Sequence, residues 1–370
     1  MGKEEWYQIK NAESVESPGL VFYVERIKAN ITQALSMIND PQRLRPHVKT
    51  HKSLEISKMM IVAGISKFKC ATIAEAEMLA LAGAVDVLLA YQPVGPNTDR
   101  FIALQQKYPA TKFSCLIDDE ATAEALNTLS EAYGVKSSVW IDINVGMDRT
   151  GIRPDQVVKL FTALQQLDGL GCKGLHAYDG HIHESSFDMR KQQVSIIITL
   201  LQKLQYEIAA ISGQEIIVVA GGSPSYTIYN KDTDFECSPG TFALWDKGYG
   251  EAYEEQHFQC AALVLSRIVS LPGTNLICCD LGHKAVAAEK SLDRRVIFLN
   301  APALKVVSQS EEHLVLDAGD GHPFRVGDLL YGLPYHVCPT VALYEHATCI
   351  SAGLARENWE ISSRKRKITI

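Results

Sequence analysis

Short apolar runs recur through the first two thirds of the chain, with segments of helical composition between them. They read LRPHVK (44–49), KFKCAT (67–72), DVLLAY (86–91), KFSCLI (112–117), SVWIDIN (138–144), KGLHAY (173–178), EIIVVAG (215–221) and FECSPG (235–240). Several are near-continuous in Val, Ile and Leu, the pattern of strands covered on both faces. The intervening segments are rich in Ala, Leu, Glu and Lys. In TIAEAEMLALAGA, Thr72 followed by Glu75 predicts a capping box at a helix start. Eight strands alternating with helices predict an α/β fold, a (β/α)8 TIM-like barrel over residues 25–240. An open doubly wound sheet would carry a Gly-rich fingerprint after its first strand, and none stands there. Beyond residue 241, FQCAALVLSRIVSL, NLICCDLG, RVIFLN, KVVSQSEEHLVLD and DLLYGLPYHVCPTVAL read as strands joined by Gly, Pro and Asp turns. They predict a β-rich domain over 241–355. The isolated strand GLVFYV (19–24) could serve either domain, and residues 1–24 are placed with the second.

Composition narrows the field. The 370 residues are 46% apolar and 21% charged, ordinary globular material of a size for one large domain and a smaller one. Lysine and arginine number 36 against 43 acids, a net charge of −7 that disfavours a nucleic-acid or anionic-membrane surface. No leader is read in MGKEEWYQIKNAES, and VSIIITLLQKL (194–204) is too short to span a bilayer. Nine scattered cysteines suit reduced thiols and a cytoplasmic setting. The basic run SRKRK (363–367) is expected to be a frayed, solvated tail.

Candidate chemistry clusters in three places. In RLRPHVKTHKS (43–53), Lys49 ends the first strand, at the mouth of a barrel. Partly desolvated there, its amine would be free to form a Schiff base; the alternative is a surface lysine at a strand end. Lys52 lies beyond the strand. AGGSPS (220–225) and SPGT (238–241) follow the seventh and eighth strands, where barrels bind phosphate on backbone amides, although either alone is an ordinary turn. In YHVCPT, His336 and Cys338 stand two apart on an expected strand, facing one way as a pair of ligands for a zinc-like ion. A buried cysteine beside a hydrogen-bonded histidine is the plainer reading.

The stretches LRPHVKTHK, KCATIAEAEMLA, DINVGMDRTGI, GLHAYDGHIH, AGGSPS, SPGTFALWD, DLGHKAV, SEEH and PYHVCPTVAL run in order along nearly the whole chain. Together they resemble the fold-type III pyridoxal-phosphate (PLP) enzymes, whose broad family includes alanine racemase. The resemblance is closer to the D-threonine aldolase and D-serine dehydratase branch. It implies that Lys49 holds PLP as a Schiff base and serves as a base at Cα. Arg149 would reach the phenolic oxygen, and Tyr178 the ring or phosphate. Gly221, Gly222, Ser223, Gly240 and Thr241 would cradle the phosphate, and His336 and Cys338 would bind a divalent metal (Zn, Mn or Mg). Where racemases set an arginine against the pyridine nitrogen, the matching residue is Ser238, a neutral partner that would leave the ring a better electron sink. The second acid/base tyrosine of the racemases has no clear counterpart, which argues against racemisation.

The implied activity is metal-assisted retro-aldol cleavage of a D-3-hydroxy amino acid, D-threonine giving glycine and acetaldehyde. Metal-bound water, His181 or His183 would take the hydroxyl proton, unless the two histidines are hydrogen-bonded loop residues. Rival readings are D-serine dehydratase, D-3-hydroxyaspartate lyase, amino-acid racemase, and a non-catalytic PLP-binding protein, which the β domain disfavours. The expected partners are a small D-amino acid and a second copy in a homodimer, with neither nucleic acid nor membrane.

Overall fold

A computed structural model describes residues 5–370; residues 1–4, the start of the segment in which no leader is read, lie outside the described residues. The chain divides into two compact units. The barrel unit comprises Ala34–Lys49, Ser57–Gly240 and Lys365–Ile370; the β-rich unit comprises the chain up to Gln33, Thr50–Ile56 and Thr241–Arg364.

After strand β1 (Gly19–Tyr23) and helix α1 (Val24–Ser36), the barrel unit builds seven strands. These are β2 (Lys67–Cys70), β3 (Asp86–Leu89), β4 (Lys112–Ile117), β5 (Ser137–Ile143), β6 (Leu170–Ala177), β7 (Ile217–Ala220) and β8 (Glu236–Cys237). All are parallel and paired in chain order. Helices α2 (Leu54–Val62), α3 (Ile73–Ala82), α4 (Pro96–Lys107), α5 (Glu120–Ala132), α6 (Val157–Leu164), α7 (Phe187–Ser212) and α8 (Tyr226–Asp232) alternate with them. The expected cap is present on α3, where Thr72 Oγ1 accepts the Glu75 N–H at 3.0 Å and Glu75 Oε2 accepts the Ala71 N–H at 2.6 Å.

The eighth place in the ring belongs to residues 44–48, which are not a regular strand. Leu44 bridges to Cys237 on one side and His47 to Lys69 on the other. Four backbone bonds stitch the seam: Arg45 N–H to Cys237, His47 N–H to Pro239, Val48 N–H to Lys69, and Lys69 N–H to Pro46, at 2.8–3.0 Å. Pro46 has no N–H to give, so the ladder cannot run regularly here, yet its carbonyl still closes the ring. Inside the barrel Leu88, Leu116, Trp140 and Val219 pack as an apolar waist.

Two expectations need correcting. The run Val194–Leu204 is the middle of α7, whose 26 residues are long and apolar enough to cross a membrane by length and composition. Here Val194, Ile197, Ile198, Leu201, Leu204 and Ile208 are buried, as is Arg190 near its start. The C-terminal tail is not frayed. Thr369 and Ile370 give their N–H groups to the carboxylate of Glu77, buried in α3, and Arg100 holds the Ile370 carbonyl oxygen at 2.8 Å. A buried carboxylate needs such donors, and Thr369 and Ile370 supply them; Lys365–Lys367 and Thr369 are exposed.

In the β-rich unit come helix α9 (Lys247–Ala252), strands β9 (Ala262–Ser270), β10 (Leu276–Cys279), β11 (Val296–Phe298), β12 (Lys305–Gln309), β13 (Leu314–Asp317) and β14 (Leu329–Pro334), helix α10 (Val337–Val341), and strands β15 (His346–Ser351) and β16 (Leu354–Glu360). The sheet runs β12-β13-β10-β9-β1-β15-β16, with β14 pairing β9 and β11. Thus β1 lies in this sheet, between β9 and β15. Val21, Tyr23, Leu263, Leu265, Leu333 and Ile350 form its core. The expected strand through YHVCPTVAL ends at Pro334, and α10 replaces its second half.

Candidate active site

Lys49 ends the seam segment, and its amine lies 5.6 Å from the centroid of the Tyr178 ring, which follows β6 directly. Arg149, in the loop after β5, brings its guanidinium carbon to 5.0 Å from the same ring. All three residues line a cavity of about 250 Å3 at the carboxyl ends of the strands, where barrel enzymes place their chemistry.

The loop after β7 folds back beneath this ring. Gly221 takes a left-handed conformation, φ 77°, that a side chain would strain. A Cβ on Gly222 would sit 3.1 Å from Tyr178 Cε2. Asp179, fully buried, accepts the Gly222 N–H at 3.5 Å, and Ser223 Oγ accepts the Gly240 N–H at 3.2 Å, tying the two glycine loops together. Ser238 Oγ donates its proton to the Arg45 carbonyl at 2.8 Å. Its oxygen is then left with lone pairs only, so any further partner must be a donor, as a protonated pyridine nitrogen is.

His181 and His183 are exposed in the loop after β6 and are not among the residues lining the cavity. His183 Nδ1 meets the His181 carbonyl at 2.6 Å. Among the residues that sequence reasoning missed, Lys69, Asp142 and His176 line it. Each is a polar side chain inside a run that otherwise reads as buried strand, and that interruption was the available signal. His176 Nδ1 lies 2.7 Å from Asp142 Oδ1, and Lys69 Nζ 3.4 Å from His176 Nε2.

In the β-rich unit, His336 and Cys338 do not alternate along a strand as expected. His336 immediately precedes α10 and Cys338 is its second residue, because Asp246 Oδ2 accepts the Val337 N–H at 3.0 Å and caps the turn. The turn still keeps the pair close enough for Cys338 to act on the charge of His336. Burial lowers the pKa of His336, but Cys338, Glu289 and Asp246 outweigh it and raise it to about 9. Glu289 Oε1 holds His336 Nδ1 at 2.5 Å, leaving Nε2 for a ligand. Thr50 and Thr241, each the next residue after a barrel-unit site residue, put their hydroxyls 3.0 and 3.8 Å from Cys338 Sγ. Among the described residues no group of three or more His, Cys, Asp or Glu is placed to hold a metal. An imidazole and a thiol are zinc-type donors, two where a catalytic zinc site has three protein ligands.

A lysine at the seam, an aromatic ring beside it and two glycine loops behind are the parts of a PLP site. The chain belongs to the alanine racemase N-terminal domain family, the fold-type III PLP enzymes, whose model matches residues 23–242. A serine dehydratase domain model matches residues 261–350. The chain is 27% identical to the D-threonine aldolase of Arthrobacter sp. (95% of this chain, 93% of the relative). It is 25% identical to the 3-hydroxy-D-aspartate aldolase of Paracoccus denitrificans (95% and 92%). A crystal structure of D-threonine aldolase from Filomicrobium marinum superposes with a TM-score of 0.87 at 26% identity (98% and 99%). The protein is a PLP-dependent lyase.

Proposed function

We propose that the protein cleaves D-3-hydroxy amino acids between Cα and Cβ, with PLP and a divalent cation, turning D-threonine into glycine and acetaldehyde. The observation that carries this reading is the convergence of Lys49 and Arg149 on the Tyr178 ring in one cavity. The named relatives, aldolases of D-3-hydroxy amino acids, support the substrate class.

PLP, when bound, supplies an aldehyde for the amine and a ring that takes up the electron pair of the broken bond. Lys49 would hold it. Arg149 brings a fixed positive charge to the ring side of the cavity, and Tyr178 gives a flat apolar face that positions a ring and excludes water. The Gly221–Ser223 and Gly240 backbone would cradle the phosphate, because bare glycine lets the chain approach an anion closely. His336 and Cys338 would hold the cation, which lowers the pKa of a bound hydroxyl. Once the ring has given up its second proton to bind the cation, Glu289 on Nδ1 would keep the imidazole in the tautomer that presents Nε2.

A D-serine dehydratase is the second reading, favoured by the cysteine ligand Cys338 and the serine dehydratase domain match. Purified protein with PLP and Mn2+ or Zn2+, given D-threonine and D-serine, separates the two. Acetaldehyde with glycine supports the aldolase; keto acid with ammonia alone overturns it; neither product from any D-3-hydroxy amino acid removes the class. Lys49→Ala is expected to abolish the absorbance of lysine-bound PLP. His336→Ala is expected to keep that absorbance and lose metal-dependent turnover.

A further inference from the structure

Lys69 is a second amine in the PLP cavity. It lies in the middle of β2, is 3% exposed, and brings Nζ to 5.7 Å from the Tyr178 centroid, against 5.6 Å for Lys49. Among the described residues no carboxylate stands within ion-pair distance of it; its partner is the imidazole of His176.

The direction of each hydrogen bond follows from the electrostatics. Burial pushes the Asp142 carboxyl up, but bonds from His176 and Thr150 outweigh it and hold it below its ordinary value, an ionised acceptor. Burial and the charge of Lys69 push His176 down, toward the neutral ring. A neutral ring must give its one N–H to Asp142 through Nδ1, which leaves the Nε2 lone pair to accept an N–H from Lys69. One hydrogen of the amine is therefore fixed, and the rest of the group is presented to the cavity. Burial, and then the charge of Lys49, bring Lys69 down from 10.5 to about 7. An amine buried in this way holds its proton less tightly than an exposed lysine and can give or take one. Asp142 and Asp179 offset part of that lowering, but burying an amine whose hydrogen-bond partner is an imidazole rather than an acid is costly for a barrel that only needs to fold.

We infer that Lys69 is a second catalytic amine, the group that exchanges a proton with the substrate α-carbon while Lys49 carries the cofactor. The inference rests on the lyase reading, but not on which bond to Cβ is broken. In cleavage, the hydroxyl loses its proton, the Cα–Cβ electron pair stays with Cα, and the Lys69 ammonium forms the new Cα–H bond. The proton shed by the hydroxyl restores the ammonium, so atoms and charge balance. In elimination the Lys69 amine takes the Cα proton, and the hydroxyl leaves as water with a proton from solvent.

The test is exchange of the α-hydrogens of glycine, and of D-alanine, in D2O, followed by proton NMR on the PLP-loaded protein. Lys69→Met is expected to keep the lysine-bound PLP absorbance and to slow exchange at least about 100-fold. Should Lys69→Met fail to load PLP, Lys69→Arg decides. It keeps the charge but cannot release a proton at working pH, and is expected to slow exchange as much. Wild-type exchange with either loaded variant within about threefold overturns the inference and leaves the lyase reading standing. A wild type that binds PLP through Lys49, yet neither exchanges nor cleaves any D-amino acid, overturns the lyase reading and takes the inference with it.

Discussion

Replacing Arg45 by methionine tests how the seam holds Lys49 in place. Arg45 is 1% exposed, with Nε 2.7 Å from Glu236 Oε2 and Nη1 2.5 Å from Asp86 Oδ1. Glu236 is nearly as buried, and its other oxygen lies 2.5 Å from Lys67 Nζ. Methionine fills much of the same volume, so the loss is mainly electrostatic. Removing one member of a buried ion pair costs about 3–5 kcal/mol, because the partner charge stays buried. Lys67 still faces Glu236, and Asp86 can reach water, so the low end applies, about 3 kcal/mol.

The double variant Arg45→Met, Glu236→Gln removes the stranded charge as well and is expected to recover roughly 1–2 kcal/mol of the summed costs. Urea unfolding, followed by circular dichroism and by release of lysine-bound PLP, gives both numbers. The cofactor signal should be lost first, since Lys49 sits four residues along the same segment. A cost under about 1 kcal/mol, or strict additivity in the double variant, would show that the backbone bonds alone close the ring.

Two further outcomes follow from single residues. His51 is fully buried, accepts the Ser53 N–H on Nδ1 and has no partner for Nε2; burial, then the charge of Lys52, push its pKa down to about 3. The folded state refuses a proton that the unfolded chain accepts near 6.5, so this contribution is intact above that pH and lost as pH falls toward 3. The loss is about 1.3 kcal/mol per pH unit; a His51→Leu variant with the same pH slope of urea midpoints as wild type would contradict this. Gly222→Ala is expected to weaken PLP binding roughly tenfold, a cost of about 1.4 kcal/mol for shifting Tyr178 or the loop, with the lysine-bound absorbance kept; an absorbance titration that finds unchanged affinity would refute it.

Strands β2–β8 were legible because parallel strands covered on both faces need long apolar runs. The seam at residues 44–48 was legible as a position but not as a shape, since Pro46 interrupts a ladder that neighbours on both sides still complete. The α10 turn was not legible. Val337, Thr340 and Val341 favour a strand, and the cap that turns them into a helix comes from Asp246, 91 residues away. The β15–β16 hairpin was missed because its two-residue loop is Ala352–Gly353, both at positive φ, where Asn-Gly is the recognisable signal.

The same parity of side chains that hid Lys69 also explains why it matters. Lys67 and Lys69 alternate on one face of β2, as do Trp140 and Asp142 on β5, and Asp142 is in register with His176. Each strand therefore presents a polar group toward the strand starts, an apolar one at the waist of Leu88, Leu116, Trp140 and Val219, or a polar group at the mouth. Toward the starts Arg45 and Lys67 are paired with Asp86 and Glu236, and Lys112, Lys136 and Lys173 line the same cavity. At the mouth Lys49, Lys69 and Arg149 surround one tyrosine ring, with Asp142 lining the cavity and Asp179 also acting on Lys69. Paired charges across a closed seam hold its strands together, and cations gathered around a cavity attract an anion into it. The cations at the mouth suit a ligand carrying phosphate and carboxylate, as PLP with an amino acid does.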